Sequence, residues 1–334
     1  MNYIGSKRKL IPFIKETIHQ TIGSDLSQKV FCDLFAGTGI VGQSFKSDVK
    51  QIISCDLEYY SYVLNRNNIG NYQNIDYQPL LKILNELPGV EGFIFQQYAQ
   101  SGNTERLYFS AENGKKIDAI RLQIQNWKLN GIISEDVYFF LLASLLKSAD
   151  KVANTASVYG AYLKKLKKTA QKSLVLEPAL FELTPNKHKV FQADANTLIK
   201  EISGDILYLD PPYNARQYGA NYHLLNTIAQ YDIFEPKGKT GLPIYNKSMY
   251  CRKNEVKHSF EALIDNARFE HIFFSYNNEG LMNETDIKGI MSRYGDYCLA
   301  TTEYQRFKAD KTENRNHKAK VTVEYLHVLK KNKL

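Results

Sequence analysis

No apolar run in this sequence approaches the roughly 18 to 20 residues that a membrane-spanning helix needs. Its four cysteines, Cys32, Cys55, Cys251 and Cys298, are scattered, with no CxxC or other metal-ligand spacing. They read as reduced thiols in a cytosol, and the spacing argues against a structural zinc site. The seven histidines form neither a triad nor a metal-binding pattern, so no metal is expected. Lys7, Arg8 and Lys9 stand near the start, but no apolar core and small-residue cleavage site follow them. The expectation is therefore a cytoplasmic protein without a secretory signal or membrane contact. Repeats and low-complexity linkers are also missing. With 43% hydrophobic and 23% charged residues, a collagen-like or wholly disordered chain is excluded.

What the chain does have is charge in particular places. Its 334 residues carry a formal charge of +8. Arg306 to Lys333 holds nine Lys/Arg against three acids, and Lys147 to Lys172 holds seven Lys against one, so each block is +6 and the remainder is −4. Two basic blocks on a near-neutral body fit contact with a polyanion along defined surfaces. Solvated lysine-rich faces would give the same arithmetic. Tyrosine is abundant, at 23 residues, and can stack on bases or fill a core.

Length suggests two domains, or one with an insertion. Gln28 to Leu34, Gln51 to Asp56, Gly204 to Leu209 and His271 to Ser275 are short apolar runs that suit buried parallel strands, with Gly92 to Gln97 a weaker one. Amphipathic helical spacing, such as Leu10, Phe13, Ile14, Thr17 and Ile18, lies between them. Alternating strands and helices mean an open, mostly parallel α/β sheet. Between about Pro88 and Pro185 the alternation stops. Ile117, Ile120, Ile124 and Trp127 form one helical stripe, and Ser134-Glu135-Asp136 opens a second helix. The expected organisation is a sheet domain in two parts, 1–87 and 186–334, around a mainly helical insert at 88–185. Asp296 to Glu303 and Val321 to Leu329 read as a final β-hairpin with a long basic loop.

Two loops carry chemistry. Asp33-Leu34-Phe35-Ala36-Gly37-Thr38-Gly39 ends a strand in a tight glycine turn, and Gly37 to Gly42 matches GxGxxG. Asp56 ends the next strand, where an acid can hold ribose hydroxyls. A dinucleotide site is thus a competitor. Asp33 leans the other way, because its charge disfavours a pyrophosphate and suits an ammonium or sulfonium group. The second loop, Asp210-Pro211-Pro212-Tyr213, follows a buried strand directly. Consecutive prolines make a stiff turn whose carbonyls remain free acceptors. Asp210 adds an anionic acceptor and Tyr213 a flat face, together suited to an exocyclic amine and its ring.

The order Asn2-Tyr3-Ile4-Gly5-Ser6-Lys7, then Phe35 to Gly39, then Asp56, a helical insert, and Asp210-Pro211-Pro212-Tyr213 resembles the Dam-like N6-adenine DNA methyltransferases. Tyr3 and Ser6 stand where that family more usually has tryptophan and glycine. The resemblance implies a Rossmann-like methyltransferase sheet using S-adenosylmethionine, with the insert reading the target. It implies that Asp33, Phe35, Ala36, Gly37, Thr38 and Gly39 hold the methionine part of the cofactor, and Asp56 its ribose. Tyr3 and Lys7 would help close that site. Asp194 falls near the expected position of the cofactor's adenine, although it also suits a helix N-cap before Ala195.

Asp210, Pro211, Pro212 and Tyr213 are the expected catalytic residues, Asp210 also bordering the cofactor. Lys164 and Lys165 in the insert, Arg216 and Tyr218 after the second loop, and Lys311, Arg315, Lys318 and Lys320 in the hairpin loop are the expected DNA contacts. Duplex DNA is the expected partner, with a companion restriction endonuclease, and the protein is expected as a monomer or weak dimer. An RNA adenine N6-methyltransferase, and more distantly an NAD-binding oxidoreductase, are the alternatives.

Overall fold

The computed structural model describes residues 5–71, 73–305 and 321–332. Their contacts divide into two compact units. One is built on a sheet and contains Ser6–Leu57, Asn186–Gln217 and the described part of Lys247–Leu334. The other is helical and contains Glu58–Pro185 and Tyr218–Asn246.

Seven strands form the sheet: β1 (Val30–Asp33), β2 (Gln51–Asp56), β3 (Lys189–Gln192), β4 (Ser203–Leu209), β5 (Arg268–Asn277), β6 (Gly295–Gln305) and β7 (Val321–Lys331). Their order is β3-β2-β1-β4-β5-β7-β6. The first five strands run parallel, and β7 is antiparallel to both β5 and β6. The expected α/β class, parallel core and terminal antiparallel pair are therefore observed. Apolar side chains on both faces explain why these runs are strands: Phe31, Cys32, Ile52, Ile53, Leu207 and Ile272 are all buried. Phe31 stacks on Phe45 at 4.5 Å, and Phe274 packs against Phe260 of the helix Val256–Asn266 at 4.3 Å.

In the helical unit, Ala111–Leu129 and Glu135–Val152 are the longest helices. Ser110 and Ser134 cap them, each accepting from the amide three residues on, as the sequence predicts for Ser134. Ile117, Ile120, Ile124 and Trp127 meet Phe140, Leu141 and Leu145 in one apolar cluster. Two features depart from the sequence reading. Gly92 to Gln97 is not a strand but leads into the helix Phe93–Tyr98. The buried carboxylate of Asp118 accepts from the Ile94 and Phe95 amides at 2.9 and 2.8 Å, satisfying the helix start. The helical body also reaches back to Glu58 and takes in Tyr218–Asn246, a wider span than 88–185. Tyr60, Val63 and Leu64 belong to its core. Among the described residues no helix is long and apolar enough to cross a membrane.

Candidate active site

The strand order reverses direction between β1 and β4, which pair side by side with Asp33 opposite Tyr208. In open α/β sheets such a reversal leaves a crevice beyond the carboxyl ends of the strands, where ligands bind. Both chemical loops leave from it: Leu34 to Gly39 after β1, and Asp210 to Tyr213 after β4. All of these residues belong to the sheet unit.

The first loop is held by its own backbone. The Leu34 amide donates to the Tyr208 carbonyl (3.2 Å), and the Ala36 amide donates to the Cys55 carbonyl (2.9 Å). Gly37 and Gly39 have φ of +52° and +77°, the left-handed region that favours glycine. The Gly37 amide donates to the Asp56 carboxylate at 2.8 Å, which ties the acid at the end of β2 to the glycine turn. Phe35 packs edge-on against Tyr250 at 5.0 Å.

Asp33 is buried beneath this turn, and one of its oxygens accepts from the Gly42 amide at 3.0 Å. Burial pushes its carboxyl up to about 7; the Gly42 amide opposes the shift, and the nearby Asp210 and Asp56 reinforce it. A carboxylate in this condition gains most from a positive ligand.

In the second loop, Asp210 accepts an ion pair from Lys7, whose Nζ is 2.9 Å from Oδ1. The two side chains are 19% and 6% exposed. Burial pushes the Asp210 carboxyl up, and the Lys7 ammonium draws it back. Burial also works against the charge on Lys7, but Asp210 and Glu324 outweigh it and hold the ammonium protonated. The Tyr213 carbonyl accepts from the Leu281 amide at 3.0 Å, fixing the end of the loop to the segment after β5.

Lys7 therefore has its Nζ on Asp210. Asp194 caps the short helix that follows it, accepting from the Thr197 amide at 3.1 Å, at the end of β3. Tyr3, Lys311, Arg315, Lys318 and Lys320 lie outside the described residues. Lys164, Lys165 and Arg216 are exposed, and Tyr218 stacks on Tyr222 at 6.0 Å. Part of the first basic block is internal: Lys167 donates to the Thr155 carbonyl at 2.6 Å and Lys147 to Asn68 at 3.2 Å. Tyr159 of that region is core, its hydroxyl donating to Asp150 at 2.9 Å.

One residue escapes sequence reading. Glu324 of β7 is buried, lies within electrostatic reach of Lys7 and Asp210, and pairs across the ladder with Asn277. Burial raises its pKa, Lys7 opposes that shift and Asp210 adds to it. The only signal in the sequence is one acid inside the apolar stretch Val323-Glu324-Tyr325-Leu326.

Residues 3–290 match the family model described as D12 class N6 adenine-specific DNA methyltransferase. The chain is 64% identical to the type II methyltransferase M.NlaIII of Neisseria lactamica, over 99% of each sequence. It is 41% identical to the type II methyltransferase M.CviAII of Paramecium bursaria Chlorella virus 1, covering 92% of this chain and 93% of that one. The same identity to M.FokI of Planomicrobium okeanokoites spans 92% of this chain and 50% of the longer relative.

Proposed function

Because the chain belongs to the D12 class of N6 adenine-specific DNA methyltransferases, we propose that it uses S-adenosylmethionine to methylate N6 of an adenine flipped out of duplex DNA. We further propose that it is the modification enzyme of a restriction-modification system, working in the cytoplasm as a monomer or weak dimer beside a cognate endonuclease. The observation that carries the chemistry is the pairing of β1 with β4, which sets the Asp33 to Gly39 turn beside the Asp210 to Tyr213 loop.

The residues present fit the cofactor. Asp33 is a buried acid whose charge is under-compensated, so a ligand carrying ammonium and sulfonium groups would relieve it. Leu34 to Gly39 would line the methionine part, Asp56 the ribose and Asp194 the adenine end. When bound, S-adenosylmethionine supplies a methyl group activated by its attachment to a sulfonium.

The remaining work falls to the chain's own groups. Adenine N6 is a weak nucleophile because its lone pair is delocalised into the ring. Asp210 and the Pro211 carbonyl would accept its two protons in hydrogen bonds, drawing the nitrogen towards a tetrahedral geometry. They also stabilise the positive charge that grows on N6 during attack, with acceptors already fixed before reaction. Lys7 has two effects on this step. It anchors the Asp210 carboxylate, and it favours the ionised form, which is the stronger acceptor. Pro211 and Pro212 stiffen the loop, and the Tyr213 ring would stack on the base to hold N6 in line. Transfer is direct, without a covalent enzyme intermediate. Extrusion of the adenine costs a few kcal/mol, which DNA contacts must supply.

Tritium transfer from labelled S-adenosylmethionine tests the reading. Duplex DNA should accept label at adenine N6, and RNA should not. Label entering RNA alone, or protein stabilisation by NAD but not by S-adenosylhomocysteine, would overturn it. Mapping N6-methyladenine in cells expressing the protein would reveal the recognition sequence.

A further inference from the structure

Within the helical unit, Pro236 to Leu242 forms a small hairpin unrelated to either chemical loop. Lys237 and Leu242 exchange both backbone hydrogen bonds, at 2.9 and 2.8 Å, and the Gly241 amide donates to the Gly238 carbonyl at 3.3 Å. Four of its carbonyls are taken by side chains from elsewhere in the unit. Arg106 donates to those of Pro236 and Gly238, both at 3.3 Å. Tyr98 donates to Gly241 at 2.6 Å. The His223 ring lies 3.1 Å from the Thr240 carbonyl, and the Tyr108 hydroxyl, which donates to the Tyr159 carbonyl at 2.7 Å, stands 3.3 Å from the same oxygen. Gly241 has φ of +73°, and a Cβ there would come within 2.7 Å of the Tyr98 ring and 2.8 Å of Arg106. Only glycine lets the hairpin sit this tightly on its supports.

This clamp sorts the polar groups of the hairpin by sign. The carbonyls of Pro236, Gly238, Thr240 and Gly241 are taken up by the protein, while the Lys237 and Lys239 side chains are exposed. Among the described residues, the amides of Gly238, Lys239 and Thr240 make no hydrogen bond. Asp232 and Glu235 precede the hairpin, and no acid lies within it. On either side, Ile233 and Ile244 are 86% and 94% exposed, more than any other large apolar side chain among the described residues. A rigid loop that offers donors and cations, with an apolar group held in water beside it, suits a polyanion with a partly apolar groove.

We propose that the Pro236–Leu242 hairpin, with Ile244 just after it, is a preformed DNA-contact element: Lys237 and Lys239 bind backbone phosphates and Ile244 enters a groove. The proposal rests on the reading of the chain as a duplex-DNA enzyme. It goes further by placing contacts in a segment that the positions of the two basic blocks do not reveal. Its rigidity matters, because a loop already ordered loses little conformational entropy on binding.

The test uses the full-length protein and a fluorescent duplex fragment of unmethylated plasmid DNA, with binding followed by anisotropy across a salt series. Each phosphate contact contributes about −0.9 to the slope of log K against log salt, so Lys237→Ala with Lys239→Ala should flatten the slope by about 1.8. Affinity at moderate salt should fall roughly tenfold. Ile244→Ser should weaken binding with the slope unchanged. All these side chains are exposed, so thermal unfolding should not move. A double lysine variant with wild-type affinity and slope, on DNA that the wild-type protein methylates, would sink the hairpin alone. If the wild-type protein transfers no methyl to that DNA, the underlying reading falls with it.

Discussion

The Lys7 ammonium and the Asp210 carboxylate form an ion pair at 2.9 Å, joining residues 203 positions apart at the end of β4. The pair settles what kind of acceptor Asp210 can be. A buried carboxylate alone would be drawn towards its protonated form, a weaker acceptor that also carries a competing O–H donor. Lys7 opposes that tendency, and so couples the Lys7–Leu10 segment to the Asp210–Tyr213 loop.

Asp210→Ala should abolish methyl transfer while leaving a folded protein that still binds S-adenosylhomocysteine, as followed by thermal shift and tritium incorporation. Lys7→Met should act differently. With the ammonium gone, the Asp210 pKa rises further, so the acidic limb of the pH–rate profile should move to higher pH. Breaking a buried pair from one side also costs about 3–5 kcal/mol, and the variant should melt earlier. An acidic limb that stayed in place in Lys7→Met would show that Lys7 does not set the ionisation of Asp210.

Asp33 gives a second pH effect, with opposite consequences for stability and binding. Its carboxyl is raised from 3.8 to about 7 in the folded protein. A raised pKa contributes stability that is fully present below about pH 4 and is lost as pH climbs to about 7. Asp33→Asn should therefore stabilise the free protein at pH 8, by on the order of 4 kcal/mol at most, from about three pKa units. The same variant should bind S-adenosylmethionine more weakly, because the compensating anion is gone. Wild-type affinity should rise between pH 5.5 and 7.5 as Asp33 ionises, and calorimetry in two buffers should show proton release on binding. A pH-independent affinity would remove Asp33 from the cofactor site.

Gly39 matters for its backbone conformation. Its φ of +77° costs an alanine roughly 1–2 kcal/mol, so the substitution would distort the turn proposed to hold the cofactor. Gly39→Ala should lower the affinity for S-adenosylhomocysteine more than it lowers the melting temperature. Equal ligand affinity with a lower melting temperature would make the glycine a turn residue only.

How much of this was legible in the sequence depends on the distance between cooperating residues. β1, β2, β4 and β5 declare themselves because each is a local apolar run, and the turns after β1 and β4 are spelled out in contiguous glycines and prolines. β3 escapes because its apolar content is only Val190 and Phe191, both half-buried and flanked by exposed Lys189 and Gln192, too short a run to declare a strand. Phe93–Tyr98 is misread because the acid that caps it, Asp118, lies more than twenty residues away. The basic block at Lys147 to Lys172 is even less transparent. Charge counting treats its lysines alike, but Lys147 and Lys167 bond inside the unit while Lys164 and Lys165 face solvent.

Glu324 is the sharpest case of a long-range partner. It sits on an antiparallel strand near the end of the chain, yet feels both members of the Lys7–Asp210 pair. Its Oε2 is buried without a hydrogen-bond partner among the described residues. Asp210 raises the Glu324 pKa; the repulsion is mutual, so an ionised Glu324 opposes ionisation of Asp210, the reverse of the Lys7 effect. Glu324→Gln should therefore move the acidic limb of the pH–rate profile to lower pH, opposite to Lys7→Met. Because burial raises the Glu324 pKa in the folded state, its ionised form is disfavoured there, and the stability it contributes at low pH is lost as pH rises. Glu324→Gln should accordingly melt higher than wild type at pH 8 and lose that advantage at pH 4. Shifts of the same sign in the two variants would mean that Glu324 acts through β-strand packing rather than through charge.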